Sequence, residues 1–396
     1  MFPNIRTLPM YMKDLGYKTG CLGKIHVNKE SNIPFDYWEI RHSNFQKKNL
    51  GLYAEKAEEF INSSDKPFFL MVSFPDSHLP LQPQVEGRPA RVMQEGEIEK
   101  GLSFVGANSE RIRENTVNYY NCINRLDESV GLLLEALKRT GKADNTVIIF
   151  ISDHGAQFSR GKCSNYEGGL KIPFILKWPK LISKKQVKNE LVSVIDLLPT
   201  FIHIAGGTVP KSLPGKNLFA LWEQAKPQWR EYLFAGGMGS FPQVHYPRRS
   251  VRDAQYKLIL NINHAKENPH YALYLKGAGH FSTGTKEEEI NASSDTIKQA
   301  YNTWRFPPEY ELYDLNNDPD EWNNLAGNPE YKETLERLKN ELYKWRKETK
   351  DMILDPKKLQ MLNKEMESAF KNMKTRDYRK DKSFKFEYLQ YLAPVE

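Results

Sequence analysis

The stretch NTVIIFISDHGAQFSRGKCSNYEGG (residues 145–169) sets an apolar run directly against a cluster of charge. Its first part shows no apolar–polar alternation. It therefore predicts a strand covered on both faces, the habit of a parallel sheet between helical layers. The strand ends in Asp153 and His154, with Arg160 and Lys162 just beyond, and the stretch closes on Tyr-Glu-Gly-Gly. In open α/β sheets, ligands sit beyond the carboxyl ends of the strands. Two other apolar runs end in the same way. TGCLGKIHV (19–27) leads into Lys24 and His26, and KPFFLMVSF (66–74), read as a buried strand, leads into Asp76 and His78.

Helical signals lie around these strands. Leu8, Met12 and Leu15 recur at helical spacing over 5–20, and Gly16 stops that helix. A long helix over 113–139 carries Ile123, Leu126, Val130, Leu133, Leu134 and Leu137 as its apolar face. IPFILKW (172–178) is a further strand, and DLLPTFIHIAGG (196–207) a helix capped by Asp196. Strand and helix alternate through residues 1–222, which predicts an α/β sandwich with a mixed, mostly parallel sheet. Beyond a Pro-rich link the texture changes. RRSVRDAQYKLILNIN (248–263) reads as two antiparallel strands around a turn at Asp253 and Ala254, and YELYDLNNDPDEWNNLA (310–326) as a strand entering a polar loop. A helix over 329–347 places Leu335, Leu338, Leu342 and Trp345 on one side. Residues 223–396 thus form a smaller α+β domain with an antiparallel sheet and terminal helices.

Composition excludes several classes. At 39% hydrophobic and 12% aromatic residues, the 396-residue chain is too apolar to be disordered. The net charge of +7 gathers much of its excess in the last fifty or so residues, a basic tail that reads as a solvated helical face. No nucleic-acid reader fold is recognisable, so a nucleic-acid partner is not expected. The three cysteines, Cys21, Cys122 and Cys163, form no CxxC pair, which argues against structural zinc and a disulfide framework. No apolar run approaches the ~20 residues that span a bilayer. The opening MFPNIRTLPMYMKDLGYK lacks the basic start and apolar core of a signal peptide.

Each charged strand end has an ordinary explanation. A lone GKxH is most often a surface loop, an Asp-x-His a turn with its cap, and SDHG an Asx-turn closed by glycine. Together they ask for an electrostatic reason, which an anionic substrate beside a cation supplies. Asp153 offers a hard oxygen ligand, and Lys24, His78 and Lys162 suit a tetrahedral oxyanion. Glu167 reads as structural, and Gly168 and Gly169 as residues that allow backbone conformations closed to others.

The residues also resemble a known family. GYKTGCLGKIHV (16–27) is similar to the second sulfatase signature, G-Y-x-T-x-x-x-G-K-x-H. ISDHG, Lys162 and YEGGLKIPFI are similar to the family's S-D-[NH]-G…K-x-x-x-Y-E-G-G block, and ELYDLNNDPDEWNNLA to its carboxyl-terminal segment. Within the sulfatases, RTLPMYMKDLGYKTGCLGKIHV, PFDY and YPRRSVRDAQYKLILNIN look most like the heparan N-sulfatase (sulfamidase) branch. The resemblance implies an alkaline phosphatase-like fold and hydrolysis of sulfate esters or sulfamates on glycosaminoglycan sugars. It implies Ca2+, with Asp153 and His154 as metal ligands. Lys24 and His26 would stabilise the nucleophile and help to break down the sulfated intermediate. His78 would bind sulfate and protonate the leaving group, and Lys162 would neutralise a sulfate oxygen. His245, Arg248 and Arg249 would meet a sulfated, carboxylated glycan or serve as ordinary sheet cations; both readings stay open.

The family's nucleophile is a formylglycine made from Cys or Ser within C/S-x-P/A-x-R. That motif is absent from these 396 residues, as is the opening strand ending in Asp-Asp. The expectation is a fragment, inactive as it stands, whose upstream part carries both. A secreted, periplasmic or lysosomal location follows from the family, and oligomeric state is not read. Two alternatives stay open: a non-catalytic sulfoglycan-binding pseudoenzyme, and a related phosphoester or phosphonate hydrolase.

Overall fold

The computed structural model describes residues 5–27, 30–42, 45–182, 185–224, 227–239, 241–264 and 266–393. The chain groups into two compact units: Met1–Lys100 with Glu110–Ser152 and Pro173–Arg230, and Gly101–Ser109 with Asp153–Ile172 and Glu231–Glu396.

The first unit holds strands β1 (Lys18–Gly23), β2 (Tyr37–Glu39), β3 (Phe68–Ser73), β4 (Ile148–Ile151) and β5 (Phe174–Lys177). Its helices are α1 (Leu8–Asp14), α2 (Gly51–Asn62), α3 (Glu110–Arg139), α5 (Leu197–Ile204) and α6 (Ala220–Glu223). β1 lies between β2 and β3 and runs parallel to both, with Cys21 opposite Trp38 on one side and Met71 on the other. Paired on both edges, β1 is the buried strand, and Cys21 and Leu22 have no exposed surface. Helix α2 lays Tyr53, Ala57 and Phe60 against this sheet. Gly20 permits the approach, since a Cβ there would sit 2.8 Å from the Phe60 ring.

Four expectations change here. β4 was read as parallel and covered on both faces. It pairs antiparallel with β5, Ile149 opposite Leu176, and all four of its residues are half-buried. An unalternating run reports residue type, not the direction of the neighbouring strand. β3 is likewise half-buried along its whole length. On α3, Ile123 and Leu134 are exposed, whereas Asn121, Arg125 and Ser129 are buried. The helix turns a polar stripe inward because Arg125 has a carboxylate to meet. The cap read at Asp196 differs too. Its side chain does not cap α5; it accepts from the Ser193 and Lys216 amides and from both Nη atoms of Arg230.

The second unit is built on a four-stranded antiparallel sheet, β6 (Leu233–Gly237), β7 (Arg248–Arg252), β8 (Tyr256–Asn261) and β9 (Tyr310–Asp314), in that order. The turn at Asp253 and Ala254 joins β7 to β8, and Asp253 Oδ1 accepts from the amides of Gln255 and Tyr256. Its helices are α4 (Glu167–Leu170), α7 (Pro269–Lys276), α8 (Glu287–Asn291), α9 (Asp295–Arg305), α10 (Lys332–Glu348), α11 (Pro356–Lys371) and α12 (Tyr388–Tyr391). Alternate residues Val251, Leu258, Leu260 and Leu312 face Leu338 and Leu342 of α10. Tyr166, Tyr274, Tyr301, Trp304 and Tyr313 belong to a second, aromatic core.

Candidate functional site

In the first unit, Gly23 ends β1 at φ 96°, and a Cβ there would lie 2.2 Å from the Ser73 carbonyl. Only glycine fits, so the chain leaves the sheet here and presents Lys24, half-buried, and His26, exposed. The Trp38 indole N–H donates to the Gly23 carbonyl at 3.0 Å and fixes the exit. His78 follows β3. Its imidazole stacks on Phe45, with centroids 3.8 Å apart and planes 7° from parallel. The Lys24 ammonium lies 5.3 Å from the centroid of that same Phe45 ring. Phe45 thus touches two of the sequence-predicted residues, Lys24 and His78. His78 Nδ1 lies 2.7 Å from the Leu79 carbonyl. A carbonyl only accepts, so Nδ1 carries the proton and Nε2 is the nitrogen that can exchange one with a substrate.

Asp76, two residues before His78, is not a free carboxylate. Its side chain has no exposed surface. Lys48 Nζ donates to Oδ1 at 2.5 Å, and Arg125 Nε and Nη2 donate to Oδ2 and Oδ1 at 2.8 and 2.9 Å. Arg125 Nη1 also holds the Gln82 carbonyl at 2.7 Å, and Lys48 the His78 carbonyl at 3.1 Å.

In the second unit, the SDHG loop docks on the YEGG turn. The Gly155 amide donates to the Gly169 carbonyl at 2.9 Å, and the Lys162 amide to the Ala156 carbonyl at 2.8 Å. Gly155, Gly168 and Gly169 are present for space, not for unusual dihedrals. A Cβ on Gly155 would fall 1.9 Å from the Gly168 carbonyl, and one on Gly169 would fall 2.6 Å from that of Gly161. This corrects the conformational role expected of Gly168 and Gly169, neither of which has a positive φ. Glu167 is structural as read: Arg252 and Lys257 reach its two oxygens at 2.6 and 2.9 Å. Arg160 is buried, its guanidinium over the rings of Tyr166 and Trp322 at 4.3 and 4.4 Å from their centroids, and it donates to the Asp320 and Glu321 carbonyls.

Asp153 differs from these buried ions. Its side chain is 83% exposed, with His154 Nε2 3.3 Å from Oδ2. His154 Nδ1 donates to the Gly155 carbonyl at 2.8 Å, which leaves Nε2 on the side of Asp153. One carboxylate and one imidazole begin a shell for a hard cation that takes about six to eight oxygen ligands. Among the described residues no group of three or more His, Cys, Asp or Glu could hold a metal. The pair fits part of a divalent site.

Lys162 is half-buried, and its carbonyl accepts from the Tyr274 hydroxyl at 3.0 Å. The next carbonyl, of Cys163, accepts from Arg248 Nη2 at 2.8 Å. Arg248 is buried with His270 Nδ1 3.3 Å away, and burial holds that imidazole well below its usual pKa. Arg249 makes a two-pronged ion pair with Asp351 at 2.9 and 2.7 Å, and Arg346 shares the same carboxylate. His245 Nε2 pairs with the Asn363 side chain at 2.8 Å, and burial lowers its pKa.

Phe45, Lys48 and Arg125 were missed by the sequence reading. Phe45 and Lys48 sit in FQKKN, which looks like exposed loop. Arg125 did leave a signal, because polar residues at 121, 125 and 129 recur every four positions along α3.

A model of the sulfatase family matches residues 3–207. A second, for the carboxyl-terminal part of N-sulphoglucosamine sulphohydrolase, matches residues 158–278. An ulvan-active sulfatase of Formosa agariphila is 28% identical over 364 residues, covering 88% of this chain and 66% of its own length. The Homo sapiens N-sulphoglucosamine sulphohydrolase is also 28% identical, over 386 residues, with 88% and 75% covered. Among solved structures, one of a protein in complex with its substrate D-glucosamine-2-N,6-O-disulfate superposes with a TM-score of 0.60 at 19% identity, covering 88% of this chain and 83% of that one. This likeness shows a shared fold, the alkaline phosphatase-like sandwich with its appended antiparallel sheet. With the family match extending over half its length, this chain is a member of the sulfatase family.

Proposed function

We propose that this protein belongs to a hydrolase of sulfated glycosaminoglycan sugars, and that its reaction is cleavage of a sulfamate or sulfate ester of the heparan N-sulfatase kind. The observation that carries the reading is the match of residues 158–278 to the carboxyl-terminal part of N-sulphoglucosamine sulphohydrolase, a segment that includes Lys162, His245, Arg248 and Arg249. In this reading Lys24 and Lys162 neutralise sulfate oxygens, as point charges suit. His26 would help to stabilise the nucleophile that the family's formylglycine supplies. His78 delivers the proton: when the S–N or S–O bond breaks, the leaving nitrogen or oxygen takes it from Nε2, the nitrogen not engaged by Leu79. Asp153 and His154 contribute to a divalent-metal site, Ca2+ by family expectation; the ion would polarise the sulfate. His245, Arg248 and Arg249 shape the glycan-facing part of the second unit, and the Asp351 pair supports a positioning part for Arg249. The family's formylglycine supplies the nucleophile, and no residue of these 396 stands in its motif. A sulfated glycan as partner and a secreted, periplasmic or lysosomal location complete the reading. Among the described residues, no helix is long and apolar enough to cross a membrane.

The test is release of inorganic sulfate from N-sulfoglucosamine and from a 6-O-sulfated sugar. The assay compares the chain with a version extended by its upstream coding sequence. Sulfate release that is lost in Lys24→Ala and His78→Asn supports the reading. Release that survives both substitutions, or no release from either sugar by the extended chain, overturns it.

A further inference from the structure

We propose that Phe45 and Lys48 form the positioning arm of His78: the phenyl ring sets the plane of the imidazole, and the ammonium fixes the backbone that carries it. The inference rests on the role given above to His78, and it names residues for which no motif was read.

Four observations lead to it. Two residues of one short segment hold the same histidine at opposite ends, Phe45 by stacking on the ring at 3.8 Å and Lys48 by donating to the His78 carbonyl at 3.1 Å. Lys48 is fully buried, a rare place for lysine, and its backbone takes the left-handed conformation at φ 52°. Stability alone gives Lys48 little reason to be there. Arg125 already reaches both oxygens of Asp76, so a second buried cation leaves the cluster one positive charge in excess, and desolvating that charge is costly. What Lys48 adds is a bond to the His78 carbonyl. Finally, the Phe45 ring also faces the Lys24 ammonium, so one aromatic plane contacts the group assigned to sulfate charge and the group assigned to proton delivery.

With Arg125 holding Asp76 and the Gln82 carbonyl, the segment 76–82 is tied at three points around His78. The geometry that results keeps Nδ1 on the Leu79 carbonyl and so fixes which ring nitrogen carries the proton. A carbonyl or ring that drifts by an ångström would release that choice of tautomer, the scale of misplacement at which catalytic geometry fails.

The experiment reads the tautomer directly, without needing turnover. The full chain is prepared with isotope-labelled histidine, and the His78 imidazole signal is identified by its disappearance in His78→Asn. The parent should show the Nδ1–H form, with its ring-carbon proton displaced upfield by the Phe45 ring current. Phe45→Leu should abolish the displacement and give a mixture of tautomers, and Phe45→Tyr should restore the parent pattern. Lys48→Met, which leaves the Arg125–Asp76 pair in place, should also give a mixture. If Lys48→Met fails to fold, the Phe45 pair decides alone. A parent-like tautomer and ring shift in Phe45→Leu overturns the proposal. Turnover is scored separately: a His78→Asn protein as active as its parent would sink the sulfatase role of His78 and leave the tautomer result standing.

Discussion

Asp76 and Asp153 read alike in the sequence, each an acid at the end of an apolar strand with a histidine close behind, yet the fold treats them as opposites. Asp76 is sealed from water and its two oxygens accept three charged hydrogen bonds from Lys48 and Arg125. Asp153 keeps 83% of its side chain exposed, with one imidazole beside it. The contrast teaches how to separate a structural acid from one available to a ligand. A carboxylate whose lone pairs are filled by fixed cations has no valence left for a metal or a substrate. One held on a rigid loop and left open to water has.

The largest effect should come from Asp76. Asp76→Ala strips the counter-ion from two buried cations, and losing one partner of a buried ion pair costs about 3–5 kcal/mol. Urea melts should show that loss as a lower midpoint at unchanged slope. A cost below about 1 kcal/mol would mean that the cluster is not what holds this loop, and the comparison would collapse.

Glu321 tests the ground between the two extremes. It is fully buried, and Lys257, the cation at 3.0 Å from its carboxylate, is shared with Glu167. Burial outweighs that lysine, and Glu167 adds to the effect, so the Glu321 pKa is pushed up to about 7. Glu167, with Arg252 as well as Lys257, is instead held below its usual value despite its own burial. The sign follows from proton uptake. Between about pH 4.5 and 7 the folded chain keeps a proton on Glu321 that the unfolded chain has lost. Stability from this group is therefore present at low pH and falls as pH rises through that window, by at most about 3 kcal/mol. Glu321→Gln should flatten the slope between pH 5 and 8, which melts at several pH values would measure. A slope unchanged in Glu321→Gln would show that one shared lysine is enough.

How much of this was legible beforehand depended on whether a residue's role was local. The antiparallel pair around Asp253 was legible because both strands and the turn at Asp253 and Ala254 lie within one short stretch, 248–263. The GKIH and SDHG loops announced themselves by ending strands in charge, and the family signatures are written on those same residues. The Asp76 cluster was not legible, because its members at 48, 76 and 125 are far apart in the chain and meet only after α3 packs. Lysine in a loop looks solvated, and the polar stripe at 121, 125 and 129 on α3 does not name Asp76 as its partner. β4 was misjudged for a related reason: its composition states how buried a strand would like to be, while its direction depends on where β5 returns.

Arg249 asks the same question of a cation. Its fork is engaged by Asp351, a carboxylate it shares with Arg346, and both side chains are about nine-tenths buried. Arg249→Ala leaves Arg346 on the carboxylate, so the loss should be that of charged hydrogen bonds, about 1.5–3 kcal/mol. Arg249→Lys should recover only part of this, because an ammonium cannot reproduce the two parallel bonds. Calorimetric titration with N-sulfoglucosamine should find the affinity little changed in both variants. A large loss of affinity with unaltered stability would instead give Arg249 a direct contact with the substrate.

The smallest effect closes the comparison from its other side. Asp153→Asn removes a charge that no lysine or arginine among the described residues pairs with, at a position open to water, and keeps the size and most of the polarity of the side chain. Substitutions of that kind stay within about 0.5 kcal/mol. Metal-free melts should therefore barely distinguish Asp153→Asn from the parent, even though the Asp76 variant is crippled under the same conditions. The neutrality is itself informative. A carboxylate that costs nothing to remove, on a loop that the glycines at 155, 168 and 169 hold in close contact, adds nothing to the fold and is open to a ligand. Were Asp153→Asn to destabilise the metal-free chain as Asp76→Ala does, the exposed acid would have a structural partner of its own, and the distinction drawn between the two would have to be given up.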